Sequence, residues 1–311
     1  MGVCRMSYIA RVEVMLSSYN GEAYIREQVE SILKQKGCDV HIVVRDDGSE
    51  DATVQIIKEL QLEYRNKIAL YIGKNIGYRK SFLKLLAYAS EADYFAFSDQ
   101  DDIWMKDKLI RAIDSLKGHE DAWLYSSALT ITDERLNVLG VKKQNDVLQT
   151  VESFFIRTRL AGCTFVFKPE LMNIAIKFSD VNLPNEQMPD HDFMICVLTK
   201  LYDKDIHIDG NSYIFHRRAD NSMTAGKGIR KRVSVEMRRI FKRKHCYKNT
   251  AALILETLDA IPESNRNFLQ IAKNYNQTIG NTFLLLKDRN FTSGMMTCDV
   301  LIKLKIILRI Y

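Results

Sequence analysis

Prolines are scarce in this 311-residue chain, four in all. Low-complexity runs and internal repeats are missing as well, which excludes long disordered linkers and solenoid arrays. No two of the six cysteines stand close enough for a C-x-x-C metal or redox motif. Reduced, mostly buried thiols fit that spacing better than a disulfide framework and favour a cytosolic compartment. The N-terminus lacks a sustained apolar stretch, and no run reaches about 18 apolar residues, so neither a secretory signal nor a membrane span is expected. Lying on a membrane surface stays compatible. Two phosphate-binding signatures, G-x-G-x-x-G and G-x-x-x-x-G-K-[ST], are absent after the first predicted strand, which argues against a dinucleotide fingerprint and a P-loop.

What is present begins with a soluble globular balance, 46% hydrophobic and 27% charged. The length suits one main α/β core plus an appendage. The net charge of +6 is uneven: from Lys227 to Lys248 ten Lys or Arg face one acid, Glu236, so that segment carries +9 and the remainder is −3. A soft boundary falls near Gly226, dividing residues 1–225 from a basic, mainly helical extension over 226–311.

The first half alternates strand-like and helix-like segments, the βαβ signature of a parallel sheet covered by helices. Strands are predicted over Arg11–Leu16, Val40–Val44, Ile68–Ile72 and Tyr94–Phe97. Helices are predicted from about Glu22 to Gly37, from Asp51 as cap to Tyr64, and over Gly77–Ser90. Beyond Trp104 the alternation weakens. A helix is expected over Lys106–Leu116, strands over Ala122–Ile131, Gly162–Phe167 and Ser212–Phe215, and helices over Pro169–Lys177 and Asp192–Leu201. Three polar clusters then sit at carboxyl ends of strands, where ligands bind in open α/β sheets: S-S-Y-N-G, D-D-G-S and S-D-Q-D-D.

In "FSDQDDIW", residues 97–104, Asp99, Asp101 and Asp102 crowd around Gln100. A divalent cation shared with substrate phosphates makes such a cluster tolerable, and a solvated acidic turn is the plain alternative, with Asp102 capping the next helix. Asp46 and Asp47 read as turn chemistry around Gly48, or as acceptors for a base imide or a ribose hydroxyl. Tyr19 and Asn20 can stack on and hydrogen-bond to a nucleotide. Arg79 either reaches a phosphate or is a solvated helix-start cation. In "MPDHDFMICVL", Asp192 is either an N-cap or a general base tuned by His191 and Asp190. His216, Arg217 and Arg218 are either a basic surface turn or compensation for phosphate charge.

The order of these clusters, followed by A-G-C-T-F-V-F, D-H-D-F and F-H-R-R-A-D-N-S, resembles the family 2 inverting glycosyltransferases of the GT-A fold. Within that family it looks most like the rhamnosyltransferase-like branch that builds bacterial surface polysaccharides. The resemblance covers roughly residues 10–225. It implies a GT-A, Rossmann-like mixed α/β sheet flanked by helices, with a nucleotide-sugar half over 10–104 and an acceptor half over 105–225. It also implies roles: Ser18, Tyr19, Asn20, Asp46 and Asp47 at the nucleotide, and Asn75, Gly77 and Arg79 on the donor-side loop. Asp99 and Asp101 match the D-x-D pair that holds Mn²⁺ or Mg²⁺, with Asp101 the direct ligand and Asp99 nearer the ribose, and Gln100 lies between them. Trp104 matches the sugar-pocket lining, Gly162, Cys163 and Thr164 the strand under the donor sugar, and Asp192 the catalytic base. Two departures stand out. Arg218 replaces a common histidine, which preserves phosphate pairing and removes a metal ligand, and Ser81 replaces a common Asn-Phe start.

The implied reaction is one displacement that inverts configuration, from a nucleoside diphosphate sugar such as dTDP-rhamnose or a UDP-hexose to a saccharide or polyprenyl-linked saccharide. One catalytic carboxylate suffices, unlike a glycosidase pair. The basic segment 227–248 has only Phe241 and Tyr247 to stack bases, so an anionic membrane surface is a better partner than nucleic acid. That places the protein in the cytoplasm or at the cytoplasmic membrane face. The terminal "DVLIKLKIILRIY" suits either packing on the core or lying in an interface. Competing classes are a nucleotidyltransferase, which lacks its Gly/Lys-rich loop here, and a catalytically silent GT-A interaction protein.

Overall fold

A computed structural model describes residues 9–218 and 243–311. The first half builds the alternating units that the periodicity predicts. They are β1 (Ala10–Ser18), α1 (Ile25–Leu33), β2 (Cys38–Asp46), α2 (Thr53–Glu63), β3 (Ile68–Ile72), α3 (Tyr78–Leu85) and β4 (Tyr94–Ser98). Strands β3, β2, β1 and β4 lie side by side and all parallel. Val12, Val14, Met15 and Leu16 of β1 have no exposed surface, as a strand covered on both faces requires.

The second half departs from the expectation. After β5 (Ile103–Trp104) and α4 (Lys108–Gly118) come β6 (Ala122–Thr132), β7 (Val138–Lys142), α5 (Val151–Ile156), β8 (Val166–Phe167), α6 (Pro169–Ala175), α7 (His191–Leu201) and β9 (Asp205–Arg217). The sheet continues β4-β8-β6-β9-β5, with β8 antiparallel to both β4 and β6. Residues 162–164 form a 3₁₀ turn instead of a strand start. β9 is 13 residues long instead of four, because register shifts against β6 let it bend while staying paired. Asp102 does not cap α4, whose N-cap is Asp107, and α2 begins after Ala52, with Asp51 instead accepting from the Thr53 N–H and hydroxyl.

The C-terminal helices are α8 (Cys246–Thr257), α9 (Glu263–Asn274), α10 (Ile279–Lys287) and α11 (Met296–Ile307). They share one apolar cluster with the sheet: Phe97, Phe155 and Phe193 join Ile254, Phe268 and Tyr311. Tyr311, fully buried, donates its hydroxyl hydrogen bond to Phe155 O at 3.0 Å. The basic segment lies mostly outside the described residues, which resume at Arg243. Among the described residues no helix is long and apolar enough to cross a membrane.

Candidate active site

The loops at the carboxyl ends of the parallel strands are laced together by side chains. Asn20, at φ 47°, accepts from Glu50 N at 2.9 Å, and its own N–H donates to Ser49 Oγ. Gln100 makes a reciprocal pair with the Tyr19 backbone, accepting at 2.8 Å and donating at 3.1 Å. Gln100 is thus the clamp between the S-S-Y-N-G and S-D-Q-D-D loops. Asp47 accepts from Ile76 N and Gly77 N and pairs with the buried Arg45 at 2.6 Å, which fixes the Asn75-Ile76-Gly77 loop. Asn75 Oδ1 also accepts from Gly77 N. Gly48 sits at φ 82°, where a Cβ would meet Asn75 N and Gly73 O at 3.1 and 3.2 Å, so glycine alone fits that close approach.

Asp46 is fully buried. Its Oδ1 accepts from Gly48 N and Ser49 N and its Oδ2 from the Ser18 and Ser49 hydroxyls. Reading a base therefore requires a nucleobase donor to replace one of these. Tyr19 is 44% exposed at the mouth. Trp104 is 2% exposed and lies under the Lys108 ammonium, 3.7 Å from its ring centroid. It therefore packs in the core beneath the loops and does not line an open pocket. Burial pulls the Lys108 pKa down to about 7, and its Nζ has no hydrogen-bond partner.

The acid cluster resolves into separate parts. Asp102 is fully buried and its Oδ1 bonds to His216 Nδ1 at 2.8 Å. Burial opposes protonation of His216, but its bond to Asp102 and the charges of Asp102, Asp99 and Asp101 outweigh it and raise its pKa to about 9. Burial first, then the charges of Asp102 and Asp101, push Asp99 up to about 8. Ligand atoms of Asp99, Asp102, Cys163 and His216 lie within 4.8 Å of one another, and Asp102 Oδ2 is buried without a partner. The carboxylates of Asp99 and Asp102 around an orphaned oxygen fit a divalent cation, and His216 can join them only by giving up the proton that Asp102 holds on it. The Cys163 thiol, pushed up by burial and by Asp102 and Asp99, stays protonated and is a poor ligand for a hard ion. Asp101 is not among the four. Its carbonyl accepts from Arg217, which also pairs with Glu27. Arg218 donates its N–H to Thr132 O at the end of β9.

Asp192 stands in the first turn of α7, two residues past the N-cap Asp190, which settles the capping alternative against it. Burial and the Asp190 charge raise its pKa to about 7. Asp190 itself is held down, against its burial, by Arg243 and Arg79, each at 2.5 Å. Arg79 is thereby turned toward Asp190. His191 is stacked on Phe82 at 3.9 Å and meets Phe97 edge-on; burial lowers its pKa to about 4. A Cβ at Gly162 would collide with His191 Nε2 and lie 3.3 Å from Asp192 Cβ. That contact ties the G-C-T turn to the H-D pair.

A cavity of about 660 Å³ opens beside Asp192. Its walls include Arg79, Thr158 and Phe193 from the first part of the chain and Arg243, Tyr247, Leu301 and Lys305 from the C-terminal part. The sequence reading missed this second wall, because nothing in local pattern says which face of a distant helix will close a cavity.

With that geometry in place, the comparisons with known proteins are decisive. Residues 13–171 match the model of the family described as glycosyl transferase family 2. The chain belongs to glycosyl transferase family 2. This family 2 glycosyltransferase is 32% identical over 215 residues to dTDP-rhamnosyl transferase RfbG of Shigella flexneri, covering 67% of the chain and 72% of RfbG. It is 30% identical over 115 residues to the putative teichuronic acid biosynthesis glycosyltransferase TuaG of Bacillus subtilis (strain 168), 37% of the chain and 45% of TuaG. The fold is shared with S. aureus TarS 1–349, solved in complex with UDP-GlcNAc, at TM-score 0.57 and 19% identity over 90% of this chain and 78% of that one. It is also shared with the mannosyltransferase PcManGT from Pyrobaculum calidifontis, solved with GDP-Man and Mn²⁺, at TM-score 0.50 and 17% identity over 98% and 82%. The family 2 enzyme thus has the GT-A architecture.

Proposed function

We propose that this glycosyltransferase transfers rhamnose from dTDP-rhamnose, or a hexose from a UDP-hexose, to a lipid-linked saccharide at the cytoplasmic membrane face, with inversion, in surface polysaccharide synthesis. The observation that carries the reading is Asp192, a carboxylate poised near neutral pH between the G-C-T turn and a cavity of about 660 Å³. Likeness to RfbG favours rhamnose. Asp192 takes the proton from an acceptor hydroxyl; that oxygen attacks the anomeric carbon, and the bond to the diphosphate breaks with its electron pair leaving on phosphate. Asp99, with Asp101 or Asp102 and His216, would hold Mn²⁺ or Mg²⁺, which when bound neutralises the leaving diphosphate. Ser18, Tyr19, Asn20, Asp46, Asp47, Asn75 and Gly77 shape the nucleotide side. Arg218 supplies phosphate charge, and Gly162 and Cys163 floor the sugar. Residues 1–225 form the catalytic unit, and the 226–311 extension, through its described residues from Arg243 on, closes the acceptor side.

The test is a thermal-shift series with nucleoside diphosphate sugars and Mn²⁺, where a ligand at about 100 times its dissociation constant adds about 2.7 kcal/mol. A Mn²⁺-dependent rise with dTDP-rhamnose, lost in Asp99→Asn and in Asp101→Ala, is expected. A rise with a UDP-hexose alone reassigns the donor. No rise with any donor refutes the reading.

A further inference from the structure

The C-terminal helices carry an apolar surface that the chain's own packing leaves bare. On α11, Met296, Val300, Leu304, Ile307 and Leu308 are 80%, 60%, 37%, 60% and 48% exposed. Met296, Val300, Leu304 and Ile307 are three or four residues apart and Leu308 follows four after Leu304, which sets them in one stripe. On α10, which packs against α11, Ile279, Phe283 and Leu284 are 79%, 61% and 54% exposed. The opposite face of α11 is already occupied: Ile302 and Ile306 are buried in the core, and Leu301 and Lys305 line the cavity beside Asp192. A helix apolar on both faces, with one face in water, marks a surface made for an apolar partner.

We propose that this outward face of α10 and α11 docks on an anionic lipid bilayer and sets the acceptor cavity against it. Charge favours that occupant. Along the chain Lys287, Arg289, Lys303 and Arg309 alternate with these apolar residues, against Asp288 and Asp299, and Asp299 is engaged by Ser293 and Thr292. Aliphatic side chains enter the acyl boundary while the cations meet headgroup phosphates. A second copy across a two-fold axis would bring the same cations together. The stripe shares no residue with the 227–248 segment. Its link to an acceptor rests on the reading of Asp192 above; vesicle binding is measured without turnover, so the two fail separately.

The experiment is sedimentation of the full chain with phosphatidylcholine vesicles, with and without phosphatidylglycerol. Binding is expected only to the anionic vesicles, and Met296→Ser/Val300→Ser/Ile307→Ser should weaken it at least about tenfold. Phe283→Trp and Val300→Trp, made singly, report insertion by a blue-shifted emission, which decides the matter if the triple variant fails to fold. The proposal is overturned if the wild type ignores anionic vesicles, if a folded triple variant binds as tightly as wild type, or if neither tryptophan shifts. It is also overturned if light scattering shows a dimer that the triple variant loses.

Discussion

Replacing Asp192 by Asn should remove transfer and at the same time make the protein more stable at alkaline pH. Burial and Asp190 raise the Asp192 pKa from the ordinary aspartate value to about 7. The folded state therefore holds this proton more tightly than the unfolded chain, whose aspartates titrate near about 4. Stability from this group is complete below about pH 4, falls as pH rises toward 7, and is flat beyond. At about 1.4 kcal/mol per pH unit, the ceiling on the cost of the charged form is about 4 kcal/mol. Asp192 borders the water-accessible cavity, which screens part of this, so about 2 kcal/mol is expected. Asn keeps an oxygen for the Phe193 N–H that Asp192 now accepts at 2.7 Å. At about 2.1 cal/mol/K of unfolding entropy per residue over 311 residues, thermal unfolding should then show the gap between variant and wild type widening by about 3 °C from pH 4.5 to 8.5. Transfer should drop by about 10³-fold, whereas wild-type activity rises with pH through about 7. A gap that does not widen with pH refutes the account of the buried charge; full transfer by the variant refutes the base.

Other perturbations probe the neighbouring groups. Asp190→Asn leaves Arg79 and Arg243 without their shared carboxylate and should cost about 3 kcal/mol in denaturant unfolding, while shifting the rising limb of the pH–activity profile to lower pH. Gly162→Ala forces a methyl into His191, so about 1–3 kcal/mol of stability and most transfer should be lost; unchanged melting would show that His191 can move. Lys108→Met removes a buried amine without a partner. Because burial lowers that pKa to about 7, wild-type stability rises between pH 7 and the ordinary lysine range. The variant's advantage in Tm should therefore be large at pH 6.5 and shrink toward pH 10.

Much of the fold was legible because each β-α unit of the first half is local. The apolar run of β1, the D-D-G-S exit of β2 and the three-and-four spacing of α1 require only the pleat and the helical pitch. The acceptor half was less so. β8 contributes two residues and sits between β4 and β6 from far away in sequence, so no window of residues reveals its direction. Site residues divide the same way. The strand-end clusters were visible by position, yet Gln100 as clamp, Trp104 as core and Arg79 as partner of Asp190 depended on contacts across long loops.

The amino-acid order by itself determined the parallel half of the sheet, the carboxyl-end clusters and their sequence along the chain, since strand alternation and turn chemistry are written within a few residues. Tertiary structure alone decided which carboxylates carry unusual protons and which stay paired. The acids of "FSDQDDIW" have nearly identical local neighbours, but burial against His216 and Cys163 separates Asp102 from Asp101. Likewise the helix at the C-terminus became the wall of the cavity only when the core drew Ile302 and Ile306 inward and left Val300 and Ile307 outside. Desolvation and charge proximity depend on distance in space, which the chain fixes only by folding.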